Sequence, residues 1–228
     1  MRLLAIDTAL EACSVAVVDM DHATARPFVS TERMARGHAE VLIPRIAEIV
    51  ATAGGFSTID RIAVTVGPGS FTGIRVGLAA ARALALALQR PAVGVSTLAA
   101  LAAPFIESDD YIPIAVAIDA RNDRVFFQMF APGGRTIVGA RCSTVKEAAR
   151  AAGIGPVKVV GSGAQAIVAA GRAGGSDFRL AEPAAEVPDI RWVAEIGAVA
   201  EPGAAPARPY YLRPADARPQ ESGRIARR

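Results

Sequence analysis

The sequence predicts an α/β chain built from two similar halves, and three observations carry that prediction. Short β-branched and apolar runs alternate with segments of helical spacing along the chain. The order strand, strand, strand, helix, strand, helix, strand, helix fills residues 1–103, and a similar order begins again after a break at 104–110. Finally, Ala5-Ile6-Asp7-Thr8 ends the first strand of the first half, and Ala117-Ile118-Asp119-Ala120 ends the first strand of the second. The echo has two readings: a duplication, or ordinary turn chemistry that places an acid at a strand end. A duplication would set the halves face to face, with Asp7 and Asp119 lining the cleft between them.

In the first half, residues 3–7 and 13–18 read as two strands joined by a tight connection, and 26–31 as a third. Helical spacing then places Leu42, Ile46, Ile49 and Ala53 on one stripe of a helix over 38–53. Pro44 falls inside it and is expected to release the Glu40 carbonyl and kink the axis. Gly54-Gly55 supplies the stop. Residues 61–66 form the next strand and a long helix runs to about Gln89. A strand over 91–95 follows, with Ser96 as the N-cap of a short helix ending at Ala103.

In the second half, strands are expected at 112–119, 125–130 and 136–140, a helix at 144–152, a strand at 157–160 and a helix at 164–171. Asp189 opens a last helix that carries Trp192, Ile196 and Val199 at helical spacing. Residues 213–228 hold five arginines, two acids, two prolines and no aromatic residue, and read as a disordered basic tail.

Composition narrows the class. With 228 residues of which 52% are hydrophobic, the chain can bury a substantial core. Its net charge of +3 permits contact with nucleic acid without arguing for it. Two cysteines, Cys13 and Cys142, do not make a disulfide framework, which favours a reduced, cytoplasmic setting. Asp7 interrupts the N-terminal apolar run before a signal-peptide core could form. The longest uncharged stretch, 91–106, is too short for a membrane span and holds Pro91, Gly94 and Pro104. A soluble protein is expected, without a membrane partner.

The most informative segment is Gly67-Pro68-Gly69-Ser70-Phe71-Thr72-Gly73-Ile74-Arg75-Val76-Gly77. Small residues recur every four positions at Gly69, Gly73, Gly77, Ala81 and Ala85, so from Gly73 onward one helix face is a ridge almost without side chains. Each helical glycine costs about 1 kcal/mol relative to alanine, and a closely packed second backbone would offset that. The segment is no Walker loop, because it has no Gly-Lys-Ser/Thr, and it lacks the third glycine of a dinucleotide fingerprint, where Thr72 stands. Gly67 and Gly69 read as a tight turn and Ser70 as the helix N-cap, the alternative being an anion held by the backbone N–H groups of the turn. Gly161-Ser162-Gly163 is a second glycine turn between strand and helix, either a plain turn or an approach to a nucleotide.

Metal and nucleophile chemistry find little support. His22 and His38 do not stand at metal-ligand spacing and no cysteine pair joins them. Ser70 and Thr72 lie outside a Gly-x-Ser-x-Gly elbow. No metal is expected.

Several segments together carry a family resemblance. These are residues 4–16, from Leu4-Ala5-Ile6-Asp7-Thr8 to Cys13-Ser14-Val15-Ala16; Gly37-His38-Ala39-Glu40-Val41-Leu42-Ile43-Pro44; the segment from Gly67 to Gly77; Gly94-Val95-Ser96-Thr97-Leu98; Ile118-Asp119-Ala120-Arg121; and Tyr211-Leu212-Arg213-Pro214. Their order and spacing resemble the bacterial TsaB (YeaZ) family over about residues 2–214. The resemblance implies two duplicated α/β lobes of the actin-like, Hsp70-like ATPase fold with a ribonuclease H-like core. We divide these as 1–104, carrying the dimerisation helices, and 105–212. It further implies a non-catalytic scaffold in the complex that installs the threonylcarbamoyl group on N6 of adenosine 37 in tRNAs reading codons that begin with A. The partners implied are a TsaD-like catalytic subunit, a TsaE-like ATPase in a ternary complex, tRNA contacted through the complex, and a homodimer when the chain is alone. The competing readings are a stand-alone ATP-dependent transferase or protease-like hydrolase that uses the inter-lobe cleft, and a direct tRNA binder that uses arginines of the tail and cleft.

Two sets of residues follow. The partner interface is expected on the first two helices, at His38, Leu42, Ile46, Gly73, Ile74, Val76, Gly77, Ala80 and Ala81, where Gly77→Glu would block assembly; the alternative is that the ridge packs only inside its own lobe against the sheet, since tight helix–sheet contacts also favour small residues. A vestigial nucleotide site is expected at Asp7, Thr8, Asp119, Arg121, Gly161 and Gly163. Ala9 follows Asp7-Thr8 where a phosphate turn would need glycine, and Ala120-Arg121 follows Asp119. No cofactor is therefore expected, with weak ATP binding left open.

Overall fold

A computed structural model describes residues 1–22, 26–106 and 111–213. The first half contains β1 (Arg2–Asp7), β2 (Ala12–Asp19), β3 (Phe28–Arg33), α1 (His38–Thr52), β4 (Arg61–Gly67), α2 (Phe71–Leu88), β5 (Ala92–Ser96) and α3 (Thr97–Ile106). The second contains β6 (Ile114–Asp119), β7 (Arg124–Phe130), β8 (Thr136–Thr144), α4 (Val145–Ala152), β9 (Val157–Val160), α5 (Ala164–Ala173), β10 (Phe178–Leu180) and α6 (Ile190–Val199).

Each half forms a five-stranded sheet, and the two sheets have the same order. The first is β3-β2-β1-β4-β5 and the second β8-β7-β6-β9-β10. In both, an antiparallel meander is extended by two parallel strands. The repeat in element order is thus matched by a repeat in strand topology, as expected for the actin-like α/β class.

Strand alternation distributes the core. Leu4, Ile6, Val15, Val17, Ile62 and Val64 face α1 and α2, and meet Leu42, Ile46, Val50, Ile74, Leu78 and Ala81. The opposite face, with Leu3, Ala5, Ala16, Ala63 and Val93, is covered by Ile190, Val193 and Ala194 of α6. In the second half, α4 and α5 cover one face of the sheet. Leu98, Leu101 and Phe105 of α3 cover Ile114, Val116 and Ile118 on the other. The last helix of each half therefore packs on the sheet of the other.

Several boundaries differ from the sequence reading, each for a local reason. The first helix runs unbroken through Pro44, and Gly54 (φ +100°) ends it as the glycine pair predicts. Ser96 is not a cap: it is the last residue of β5, and its hydroxyl is buried without a partner. α3 continues past Ala103, through Pro104, to Ile106. β3 lies two residues later than expected, and β8 runs on to Thr144, whose hydroxyl forms a capping box with Glu147. β10 went unseen because three residues carry no period. Asp189 caps α6 as read. The tail expectation falls on 214–228, outside the described residues.

After α6, residues 204–213 form a strap along the exposed edge of β5 and the start of α2. Gly94 N–H donates to the Ala205 carbonyl (2.9 Å), Tyr210 N–H to Val66 (2.8 Å) and Arg82 Nε to Ala207 (2.8 Å). At the far end, an Arg213 Nη donates to the Ala120 carbonyl (3.1 Å), so the strap reaches from one sheet to the other.

Candidate inter-lobe cleft and helix surface

The cleft between the sheets has a volume of about 530 Å³. Its floor is the β1–β2 turn, the start of α2, the β6–β7 turn and the strap, and its walls include His38, Ser70, Phe71, Asp119, Arg121, Ser162 and Tyr211. Asp119 and Arg121 both line it, joined by an Arg121 N–H bond to the Asp119 carboxylate (2.8 Å). Arg121, Asn122 and Asp123 all have positive φ (62°, 54° and 57°), a left-handed run of three non-glycine residues that shapes the turn.

Asp7 is the main correction. It does not line the cleft and is 0% exposed. It follows Leu3 and Ala5 by alternation onto the face that α6 covers. Its Oδ1 accepts from the Thr65 hydroxyl (2.6 Å) and the Ala9 N–H (3.0 Å). Oδ2 is buried without a partner. Thr8, also buried, donates its hydroxyl to the Gly73 carbonyl (2.7 Å). The place where a phosphate turn would open is filled by protein: Ser70 N–H donates to the Ala9 carbonyl (2.7 Å), and a Cβ on Gly69 would overlap that same carbonyl oxygen.

The second glycine turn is likewise structural. A Cβ on Gly161 would overlap the Ala117 carbonyl, and Gly163 N–H donates to that oxygen (2.9 Å). The residue that reaches the cleft is the one between them, Ser162, whose Oγ accepts from Asp119 N–H (3.0 Å). Its signal in the sequence was only its place between two flagged glycines.

Burial pushes the Asp7 carboxyl above the usual carboxylate range, against the opposing bonds from Thr65 and Ala9 and the charge of His38. The folded chain therefore holds this proton more tightly than the unfolded chain, whose aspartate titrates near pH ~3.9. Between that pH and the raised folded value, unfolding releases a proton, so this group's contribution makes stability fall as pH rises. Asp7→Asn keeps an acceptor oxygen and removes the penalty. Its stability relative to wild type should climb from about pH 4 and level off above the folded value. Urea midpoints of both proteins across pH 4–8 measure this; a difference that does not vary with pH would show that Asp7 titrates normally.

The glycine ridge faces inward. A Cβ on Gly73 would overlap the Thr8 carbonyl oxygen, and one on Gly77 would lie 2.5 Å from Thr8 Oγ1 and 3.5 Å from Val64 Cγ2. The second backbone that offsets the glycines belongs to the chain itself, at the end of β1. Leu42, Ile46, Ile74 and Ala81 are each no more than 1% exposed, and Ala80 is 8% exposed. His38 is buried too, with Nε2 at 3.2 Å from the Leu10 carbonyl oxygen. These residues cannot themselves touch a partner. Of the expected set, Val76 alone is half-buried. The Ser70 cap is as read, its hydroxyl accepting from Gly73 N–H (3.2 Å).

With the ridge inward, the outer face of the two helices carries other residues. It presents Ile43 (54% exposed) on α1 and Ala79, Ala83 and Leu86 (82% exposed) on α2. Among the described residues α2 is also the one helix long and apolar enough to cross a membrane by length and composition, yet a third of it is buried in the protein. Its apolar character is thus spent on two faces, one on the sheet and one toward the outside.

A family model described as TsaD, tRNA N6-adenosine threonylcarbamoyltransferase, matches residues 28–195. A crystal structure from Pseudomonas aeruginosa, described as an uncharacterized protein with similarity to peptidase YEAZ, superposes with a TM-score of 0.72 at 30% identity, covering 93% of this chain and 99% of that one. The chain belongs to the TsaB (YeaZ) family. A second structure, YeaZ from Pseudomonas aeruginosa, gives a TM-score of 0.70 at 29% identity over 92% of this chain and 99% of that one. By sequence, TsaB proteins of Escherichia coli and Haemophilus influenzae, named as tRNA threonylcarbamoyladenosine biosynthesis proteins, are each 39% identical over 128 residues, 56% of this chain. Those matches span 54% and 52% of the relatives, about half their length.

Proposed function

We propose that the chain is a non-catalytic scaffold and dimerisation subunit in the cytoplasmic machinery that places threonylcarbamoyl on N6 of adenosine 37 in tRNAs reading codons that begin with A. It pairs there with a TsaD-like catalytic subunit, with a TsaE-like ATPase joining them, and contacts tRNA through the complex. Alone it forms a homodimer through the same face, since an isologous patch can pair with itself. The lobes 1–104 and 105–212 serve as the units of this reading, the first presenting the helices.

The observation that carries the proposal is the apolar outer face of α1 and α2, with Ile43 and Leu86 both largely exposed. The non-catalytic part draws support from the filled phosphate turn, with Ser70 on Ala9 and Thr8 clamped to Gly73. The names of the relatives support the pathway. The test is the double variant Ile43→Glu with Leu86→Asp, run on a sizing column alone and with the catalytic partner. Because both side chains are exposed, its melting temperature should match wild type, while its dissociation constants rise at least about a hundredfold. Undisturbed co-elution would move the interface elsewhere. In the same reconstitution, tRNA modification that proceeds equally well without the chain would remove the scaffold role. Titration calorimetry with ATP and Mg²⁺ addresses the enzyme reading: micromolar binding would favour it.

A further inference from the structure

Two separate segments meet on one flank of α2. The helix itself, residues 71–88, contains no acid, and its only charges are Arg75 and Arg82. Seven residues apart, they lie on one side of the helix, and both bond the strap: Arg75 Nε donates to the Tyr211 hydroxyl (3.2 Å) and Arg82 to the Ala207 carbonyl. The strap, residues 204–213, is also without an acid and brings Arg208, Arg213 and two of the chain's three tyrosines. Phe71 and Tyr211 rings lie 5.0 Å apart at 32°, and the Arg75 guanidinium sits 3.7 Å over Phe71. Phe71, Tyr210 and Tyr211 are nonetheless 36–41% exposed. The three rings open on the mouth of the inter-lobe cleft, where Arg33, Arg121 and Arg213 face Glu11, Asp119 and Glu186, while the two segments themselves add arginine and no carboxylate.

We infer that this flank is a binding strip for single-stranded RNA. Base faces would stack on exposed Tyr210 and Tyr211, with Phe71 and Arg75 backing the Tyr211 ring, and the arginines would meet the backbone phosphates. This is the combination by which unpaired strands are held without sequence readout. The strip adjoins the outer face of α2: Leu86 lies one turn beyond Arg82 on the same side of the helix, so the aromatic rings of the strap, rather than the helix arginines, set the strip apart. The Arg75–Phe71–Tyr211 cluster fixes the rings in advance, which lowers the ordering cost of stacking. The inference rests on the scaffold proposal only in choosing RNA as the polymer; the chemistry of the strip stands on its own.

The experiment is fluorescence anisotropy with a short labelled single-stranded RNA at low salt, using the full chain. Binding on the order of micromolar is expected. Tyr211→Ala and Arg75→Glu should each weaken it at least about tenfold. The salt slope should shrink by about 0.7 for each phosphate that is no longer neutralised. Tyr211→Phe, which keeps the ring and drops only the hydroxyl bond, should bind like wild type and shows that the strap is intact. Arg135→Glu, an exposed residue of the β7–β8 turn, makes the same charge change outside the strip and should leave affinity within about twofold. Equal loss in Arg135→Glu would reduce the effect to net charge and overturn the strip. So would equal binding of the RNA annealed to its complement, competition by AMP at matching concentration, or no binding at all. Assembly with the catalytic partner is read separately on the sizing column for Tyr211→Ala, which lies off the α2 helix: weakened RNA affinity with assembly intact is the strip's signature. Wild-type RNA affinity in every strip variant defeats this inference alone.

Discussion

Gly77→Glu should leave the chain unable to fold, rather than folded without a partner. The Cβ alone would sit 2.5 Å from the Thr8 hydroxyl, which is buried and already holds the Gly73 carbonyl at 2.7 Å. The carboxylate beyond it would enter a core of Ile6, Val64 and Leu78 with no cation to meet it, and a buried unpaired charge is among the costliest substitutions. A graded series separates the terms. Gly77→Ala gains about 1 kcal/mol in helix propensity and loses about 1–3 kcal/mol to overpacking. The clash should win, because moving Thr8 breaks its bond to α2. Gly73→Ala should cost more than Gly77→Ala, since its obstacle is the Thr8 backbone carbonyl rather than a side chain. Urea denaturation of the two alanine variants, and soluble yield of the glutamate variant, measure this. An alanine variant at position 77 as stable as wild type would show the ridge to be loosely packed.

That outcome bears on what the sequence could and could not reveal. The ridge itself was legible, because a four-residue period of small side chains needs only local spacing. Its direction was not. A helix that lies close to a sheet and a helix that lies close to another helix ask for the same glycines, and only the long-range meeting with Thr8 decides between them. The outer face was overlooked for the related reason that Ala79 and Ala83 read as ordinary helix formers. Asp7 and Asp119 read alike as acids at strand ends. They part because α6 closes one face of β1, while Asp119 lies open at the corner of the cleft. The order of elements survived translation into structure almost whole, since each element carries its own period and its own stops. Where it slipped, at β10 and at Ser96, the segment was too short or its neighbour, Thr97, equally able to start a helix. The strap and its meeting with Phe71 and Arg75 join residues more than a hundred apart in sequence, beyond the reach of any local pattern.

Arg61→Met should lower stability by about 2–4 kcal/mol, and should act first on the far end of the chain. One Nη of Arg61, at the start of β4, lies within hydrogen-bond distance of three carbonyls at the end of α6: Gly197 (3.0 Å), Ala198 (2.7 Å) and Ala200 (3.0 Å). These are the orphan acceptors of a helix C-terminus, where the macrodipole also favours a cation. Methionine keeps the apolar stem and withdraws the donor, leaving half-buried carbonyls unmet. The helix packs so tightly that a Cβ on Gly197 would overlap Ala63 Cβ, so α6 has little room to turn toward other partners. Because α6 belongs to the second half and lies on the first sheet, its docking is one of the ties between them, and the strap that follows it should loosen with it. Hydrogen exchange should therefore show reduced protection at α6 and at Gly94, whose N–H bonds the strap, before the sheets are affected. Arg61→Lys, with a single ammonium that can still reach one or two carbonyls, should recover part of the loss. A methionine variant within about 0.5 kcal/mol of wild type would assign the docking of α6 to its apolar face alone.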